Sequence, residues 1–118
     1  MLIEKKRKVH LMSANEILSQ TIPGRLKDPA EREKMMELDA VFQFHLTGDE
    51  AGSWYIDLKA GECAAGEHDQ ADCTVTLDSS DFIDLYNGDA QGAMLFMQGK
   101  LQMEGNMGLA MKLGEIMG

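Results

Sequence analysis

Residues 41 to 59, VFQFHLTGDEAGSWYIDLK, contain two runs in which apolar and polar side chains alternate. The apolar members are Phe42, Phe44 and Leu46 in the first run and Trp54, Ile56 and Leu58 in the second. A period of two is typical of strands with one buried face, and residues 48 to 52, GDEAG, are turn formers. The stretch therefore predicts an antiparallel hairpin with one apolar face.

Three further strands are predicted after this hairpin. A weak one spans roughly residues 62 to 67, a clearer one places Val75 and Leu77 inward, and residues 100 to 104 alternate again. A turn centred near His68 would make the third and fourth strands a hairpin and would bring Cys63 opposite Cys73. Two cysteines cannot form a disulfide framework, so we expect buried, reduced thiols rather than a bridge.

Helix signals stand on both sides of the strands. Before them, the capping box from Ser13 to Glu16 begins a helix that Pro23-Gly24 is expected to end. Asp28, followed by Pro29, begins a second helix that is expected to run to about residue 37.

After the fourth strand, Asp78 is expected to cap a helix that stops at Asn87-Gly88. We expect Asp89 to begin another helix that runs through Met97, where the glycine two residues later breaks it. Asn106 is expected to cap the last helix.

Methionine is concentrated in residues 88 to 118, which hold six of the ten in the chain. Methionine is flexible and polarizable, so a surface rich in it can repack around guests of different shape. The two helices of this segment are apolar around most of their circumference, which requires burial on more than one side. We interpret the segment as a wall of an adaptable apolar cavity; another subunit or the domain's own helices could also cover it.

Charge and length restrict the classes of function. The chain has 118 residues and a net charge of −9, which indicates one domain and argues against a nucleic-acid partner and against general attraction to anionic membranes. Residues 1 to 12 carry a basic run, so we expect a poorly ordered arm followed by a single domain over 13 to 118. No secretory signal or membrane-length apolar run is evident.

Catalytic motifs are scarce. The chain contains no GxSxG, HExxH or Walker sequence. His45 lies across the predicted hairpin from Tyr55 and Asp57, but solvated cross-strand pairing is the favoured interpretation over an acid-base group. Residues 105 to 108, GNMG, could hold a phosphate with help from Lys112 or could simply form a tight turn. We therefore expect no enzyme, no metal and no cofactor.

Two long sequence motifs indicate a family resemblance. Residues 71 to 89, ADCTVTLDSSDFIDLYNGD, and residues 96 to 113, FMQGKLQMEGNMGLAMKL, resemble the sterol carrier protein 2 family of lipid-transfer domains, whose members share ADCT(I/V)T, SDF, FxQGKL and GNMGLAMKL in this order. The resemblance runs from about Val41 to Gly114. It implies an α/β (α+β) sandwich in which a five-stranded, mainly antiparallel sheet, covered on one side by about five helices, encloses an apolar tunnel.

By position, the resemblance also implies lipid-binding residues. These are Trp54, Ile56, Phe82, Leu85, Ala93, Met94, Leu95, Met97, Gln98, Leu109, Met111 and Leu113. Some relatives have ligand-contacting glutamines where this chain has Ala93 and Met111, so we expect a less polar cavity.

The expected function is a non-enzymatic, intracellular carrier of a fatty acyl chain, fatty acyl-coenzyme A, sterol-like molecule or phospholipid. Peroxisomal family members end in Ser-Lys-Leu whereas this chain ends in Ile-Met-Gly, which favours the cytoplasm. Transient membrane contact and a homodimer are both compatible with the sequence. The alternative is a protein-interaction module whose apolar last helix is buried in a homodimer or a larger partner.

Overall fold

A computed structural model describes residues 13 to 117, with side chains placed up to Leu113. The basic arm predicted for residues 1 to 12 lies outside this range. Five strands are present: β1 (Val41–Thr47), β2 (Gly52–Asp57), β3 (Glu62–Ala65), β4 (Cys73–Asp78) and β5 (Leu101–Gly105).

The helical part begins with α1 (Ala14–Glu16), a π-helical turn (Ile17–Thr21) and α2 (Ile22–Arg25) in direct succession, and continues with α3 (Pro29–Met36). A 3-10 turn (Gly48–Glu50) joins β1 to β2. The remaining helices are α4 (Ser79–Asn87), α5 (Gly92–Met97) and α6 (Met107–Met117). Within residues 13 to 117, every helix falls short of the length and hydrophobicity that a membrane crossing requires.

The five strands form one sheet in the order β3-β2-β1-β4-β5. The β1–β2 hairpin is confirmed, with Phe42 opposite Ile56 and Phe44 opposite Trp54. β1 and β4 run parallel, and the other three neighbouring pairs are antiparallel. The predicted fold class, a five-stranded and mainly antiparallel sheet with helices packed on it, is therefore confirmed.

The hairpin considered for the third and fourth strands does not form. β3 pairs only with β2 at one edge of the sheet, whereas β4 lies between β1 and β5. The chain crosses from one side of the central hairpin to the other through residues 66 to 72. Cys63 and Cys73 are accordingly both free, as expected. Burial raises the pKa of the Cys63 thiol to about 12, and this thiol donates to the Leu18 carbonyl oxygen at 3.2 Å.

The Ser13 cap of the predicted capping box is present, but the predicted end of the first helix is wrong. The Ser13 hydroxyl accepts from the Glu16 N–H at 3.1 Å. The helical path continues through Pro23-Gly24 to Arg25, because a π turn (Ile17–Thr21) precedes the proline. Proline clashes with the carbonyl four residues earlier in a regular helix, and a widened turn is one way in which helices accommodate this.

The helix that was expected to begin at Asp89 begins at Gly92 instead. The N–H groups of Asp89 and Ala90 both donate to the Asp84 carbonyl oxygen, at 2.8 Å and 3.1 Å. These residues thus close the end of α4, where Gly88 is left-handed with φ 82°. A new helix can begin only after this capping turn.

The main core lies between the helices and one face of the sheet. Alternate residues of the strands supply one side of it, among them Phe42, Phe44, Leu46, Ile56, Val75 and Leu77. The first helical segments supply Ile17, Leu18 and Ile22 from the other side, all fully buried. The Phe44 and Phe82 rings meet edge to face with centroids 5.6 Å apart, which joins the sheet to α4.

Candidate functional site

A cavity of about 440 Å³ lies between helices α4, α5 and α6 and strands β1, β4 and β5. Its lining residues are Phe44, Val75, Phe82, Leu85, Tyr86, Gly88, Ala90, Gln91, Gly92, Ala93, Leu101, Met103, Ala110, Met111 and Leu113. Among these described residues, Tyr86 and Gln91 alone have polar side chains. The cavity therefore presents an almost entirely apolar wall.

The sheet side of the cavity is one row of side chains across three strands. Phe44 of β1 lies opposite Val75 of β4, and Val75 lies opposite Met103 of β5. Leu101 lies two residues before Met103 and therefore points to the same face. This row forms the floor under the three helices.

Helix α4 is fixed at both ends. The Asp78 carboxylate accepts from the Ser80 N–H at 2.8 Å and from the Ser80 hydroxyl at 2.7 Å. The hydroxyl and then the N–H of Ser80 hold the pKa of Asp78 below its usual range, because both hydrogen bonds favour the charged carboxylate. The helix thereby presents Phe82 and Leu85 to the cavity.

Helix α6 leaves β5 through a turn that is tight enough to require glycine. Gly105 has φ 92°, and a Cβ atom at this position would collide with the backbone carbonyl oxygen of Asp72. The Asn106 side chain accepts from the Leu109 N–H at 3.2 Å, which confirms the predicted cap. The turn brings α6 over the cavity; phosphate binding by residues 105 to 108 stays a hypothesis.

Five of the residues that the sequence assigned to lipid binding come together around the cavity. They are Phe82, Leu85, Ala93, Met111 and Leu113. Three helices supply them, and each of the three had been predicted to contribute.

The other seven assigned residues lie outside the cavity lining. Trp54 and Ile56 share the floor's face of the sheet, but they belong to β2, on the far side of β1, and Ile56 is fully buried in the core. Leu95 is buried and Leu109 is half-buried against the core. The exposed ones are Met94, Met97 and Gln98.

The sequence reasoning missed most of the floor and the polar positions. Val75 and Leu101 had been predicted to face inward, but only the pairing of β4 with β5 shows that they lie beneath α6. Ala110 follows Leu109 on the buried side of α6 and has no distinctive local signal. Tyr86 lies in the last turn of α4, and Gln91 directly precedes α5, where the predicted helix boundary was wrong.

Tyr86 connects the cavity wall to the first helices. The Arg25 guanidinium donates to the Tyr86 hydroxyl at 3.4 Å and to the Glu31 carboxylate at 3.0 Å. Burial disfavours the charged form of Arg25. The interactions with Tyr86 and Glu31 favour the charged form more strongly, so the Arg25 pKa is raised. A charged guanidinium thus lies directly behind a polar residue of the cavity.

The acid-base group of His45 with Asp57, which the sequence disfavoured, does not form, and His45 instead makes a cross-strand polar contact, as favoured. His45 Nδ1 lies 2.8 Å from the Ser53 hydroxyl, whereas His68 Nε2 lies 3.0 Å from the Asp57 carboxylate. Residues 66 to 72 fold over the outer face of the sheet and bring His68 there. The His68 N–H donates to the buried Gln43 side chain at 2.7 Å, which fastens this crossing to the sheet.

Asp57→Asn is expected to lower the free energy of unfolding at pH 7 by about 1 to 3 kcal/mol, because the carboxylate is nearly buried and accepts several hydrogen bonds. Burial of Asp57 favours its neutral form, but the N–H groups of Ala60 and Lys59, together with His68, outweigh this and hold its pKa below 3.8. The resulting stability is present above pH 3.8 and is lost as the pH falls through the lowered pKa.

Urea denaturation of both proteins between about pH 5 and pH 2.5 would check this prediction, since the difference between them should shrink toward the acid end. Asp69→Asn, at an exposed residue of the same crossing, is the matched control and should have little effect. A constant difference at all pH values would contradict the role assigned to the Asp57 charge.

Comparison with known proteins agrees with this architecture. The yeast Yarrowia lipolytica sterol carrier protein 2 in its apo form is 31% identical, with a TM-score of 0.72, and the alignment covers 81% of this chain and 83% of that one. The palmitated SCP2L2 of the mosquito Aedes aegypti is 27% identical, with a TM-score of 0.67, over 86% of this chain and 92% of that one.

Curated relatives of greater length also match. Hydroxysteroid dehydrogenase-like protein 2 of Bos taurus is 39% identical over 95 residues, which are 78% of this chain and 23% of that protein. The Xenopus tropicalis protein of the same name is 40% identical over 89 residues, or 73% of this chain. The chain thus spans about a fifth of the curated relatives it matches. Residues 16 to 118 match the SCP-2 sterol transfer family, and the chain belongs to this family.

Proposed function

We propose that this chain is a lipid-binding domain that holds a single fatty acyl chain in the cavity between α4, α5, α6 and the sheet. The observation that carries the proposal is the cavity itself, with a volume of about 440 Å³ and an almost wholly apolar wall. Pockets for small ligands typically measure about 300 to 1,000 Å³ and are lined mainly by hydrophobic side chains.

Hydrophobic burial would supply most of the affinity. Each methylene group that moves from water into an apolar site contributes about 0.8 kcal/mol, so an acyl chain needs few polar contacts. Tyr86 and Gln91 are the polar groups available to a carboxylate or ester at the end of the chain. The palmitated mosquito relative supports a fatty acyl ligand over a sterol, an acyl-coenzyme A or a phospholipid.

The proposal is one of binding and transfer without catalysis. The relatives named hydroxysteroid dehydrogenase-like protein 2 are several times longer than the matched region. We assign lipid binding to the matched part, and we assign any dehydrogenase chemistry to the remainder of those proteins. The apolar wall of the cavity supports the assignment of lipid binding, because Tyr86 and Gln91 are the only polar side chains among the described residues that line it. The cytoplasmic location expected from the sequence stays a prediction.

Titration of the delipidated protein with a fluorescent fatty acid tests the proposal. We expect saturable binding at micromolar concentration with one site per chain, and displacement of the probe by palmitate. The same fluorophore without its acyl chain is the control, and it should not saturate. If the fatty acid also fails to saturate at micromolar concentration, the chain does not hold an acyl chain in this cavity.

A further inference from the structure

Five large apolar side chains are exposed on α5 and α6. Their exposed fractions are 52% for Met94, 41% for Phe96, 82% for Met97, 45% for Met107 and 54% for Met111. No other large apolar side chain in the described part of the chain is exposed to this extent. We call these five residues the mouth patch. Concentrated exposure of this kind usually marks an interaction surface.

The mouth patch is continuous with the cavity. Ala93 of α5 and Met111 of α6 both line the cavity and are both exposed to solvent, so the cavity opens between these helices. The two helices pack against each other, and Leu95 and Leu113 anchor their inner sides in the core. The exposed methionines therefore lie on the two helices between which the cavity opens, and Met111 belongs to both the cavity lining and the mouth patch.

Charge distinguishes this face from the rest of the protein. The chain carries a net charge of −9, yet α5 has no charged residue, and Lys112 is the one charged side chain of α6 up to Leu113. Lys100, which follows α5, is also exposed. Two cations thus lie beside the apolar residues, the neighbouring acidic residues Asp89 and Glu104 lie outside both helices, and the sequence of α6 contains one acidic residue, Glu115.

We propose that the mouth patch docks on the surface of a zwitterionic phospholipid bilayer. Methionine and phenylalanine side chains would enter the boundary between headgroups and acyl chains, as the apolar faces of interfacial helices do. Lys100 and Lys112 would lie at the level of the phosphate groups, with their aliphatic stems along the apolar residues. This inference rests on the proposed function, because the docked mouth would let an acyl chain pass without crossing water.

A bilayer fits this face better than a second copy of the chain. A homodimer formed through the mouth patch would close the cavity opening and would bring together two bodies that each carry a net charge of −9. A bilayer of neutral lipids avoids both costs. The flexible methionines can also adapt to a disordered lipid surface, for which no fixed shape is required.

Flotation with vesicles of pure phosphatidylcholine tests the inference. We expect the wild-type protein to float with the vesicles and the double variant Met94→Gln/Met97→Gln to partition at least about tenfold less, because two apolar anchors become polar. Neither residue lines the cavity, so fatty-acid binding in solution should be unchanged. Met36→Gln removes a half-buried methionine of α3 that belongs neither to the mouth patch nor to the cavity lining, and it should float like the wild type.

The outcomes separate this inference from the proposed function. Saturable fatty-acid binding without flotation, or equal flotation of the double variant, overturns the docking surface and leaves the cavity assignment intact. Flotation without fatty-acid binding overturns the cavity assignment alone. Sedimentation of a wild-type dimer that the double variant dissociates would show that a second copy covers the mouth patch, and this also overturns the inference.

Discussion

Gly105→Ala is expected to lower the free energy of unfolding by at least about 2 kcal/mol, since two independent penalties act at this position. Gly105 has φ 92°, which side chains rarely adopt, and its Cβ would collide with the Asp72 carbonyl oxygen. The Asp72 oxygen is a backbone atom, and it is held in place because it also accepts from the Asn106 N–H at 3.1 Å. Neither partner can rotate away as a flexible side chain could.

Gly24→Ala is the matched control and should act in the opposite direction. A Cβ at Gly24 meets no atom within 4 Å, and this residue lies in the helical segment α2 without a positive φ. Alanine in such a position is expected to stabilise the protein by about 0.5 to 1 kcal/mol. Urea denaturation followed by circular dichroism measures both variants. A Gly105→Ala protein as stable as the wild type would show that β5 and α6 are not joined by this turn.

Ala110→Phe is expected to weaken fatty-acid binding by about 50-fold. Ala110 lines the cavity from α6 and is half-buried, so a phenyl ring there would occupy space that the ligand needs. Exclusion of about three methylene groups, at about 0.8 kcal/mol each, corresponds to this loss. Titration of the delipidated variant with the fluorescent fatty acid gives the dissociation constant directly.

The control for this variant is Ala30→Phe, at an exposed residue of α3 that does not line the cavity. It makes the same change in side-chain volume and should bind the fatty acid like the wild type. Circular dichroism would show whether Ala110→Phe keeps its helical content. A folded Ala110→Phe protein with unchanged affinity would mean that the ligand occupies a different part of the molecule.

The local signals in the sequence predicted most element positions correctly. The alternation in β1 and β2, the Asp78 cap and the Asn106 cap each involve residues close in the chain, and each is present in the structure. The predicted helix boundaries were wrong at Gly24 and at Asp89. A π turn before Pro23 allows the first helix to continue past its expected end. The hydrogen bonds that close α4 delay the start of the next helix beyond Asp89.

Five of the ten helical residues assigned from the sequence line the cavity, and neither of the two sheet residues does. Phe82, Leu85, Met111 and Leu113 line the cavity, at positions that the family resemblance implied. Trp54 has the correct period and the correct face of the sheet. It nevertheless lies beyond β1, because the cavity occupies the side of the sheet formed by β4 and β5.

The sequence by itself determined the five strands through short-range periodicity and the capped helices through their capping residues. It determined the family through contiguous sequence motifs. The tertiary structure alone decided that β4 runs parallel to β1, so that residues 66 to 72 cross the sheet and place His68 against Asp57. Strand partners far apart in the chain are chosen by the packing of the whole core, which no local pattern encodes. That choice also determined which apolar residues line the cavity and which are buried in the core.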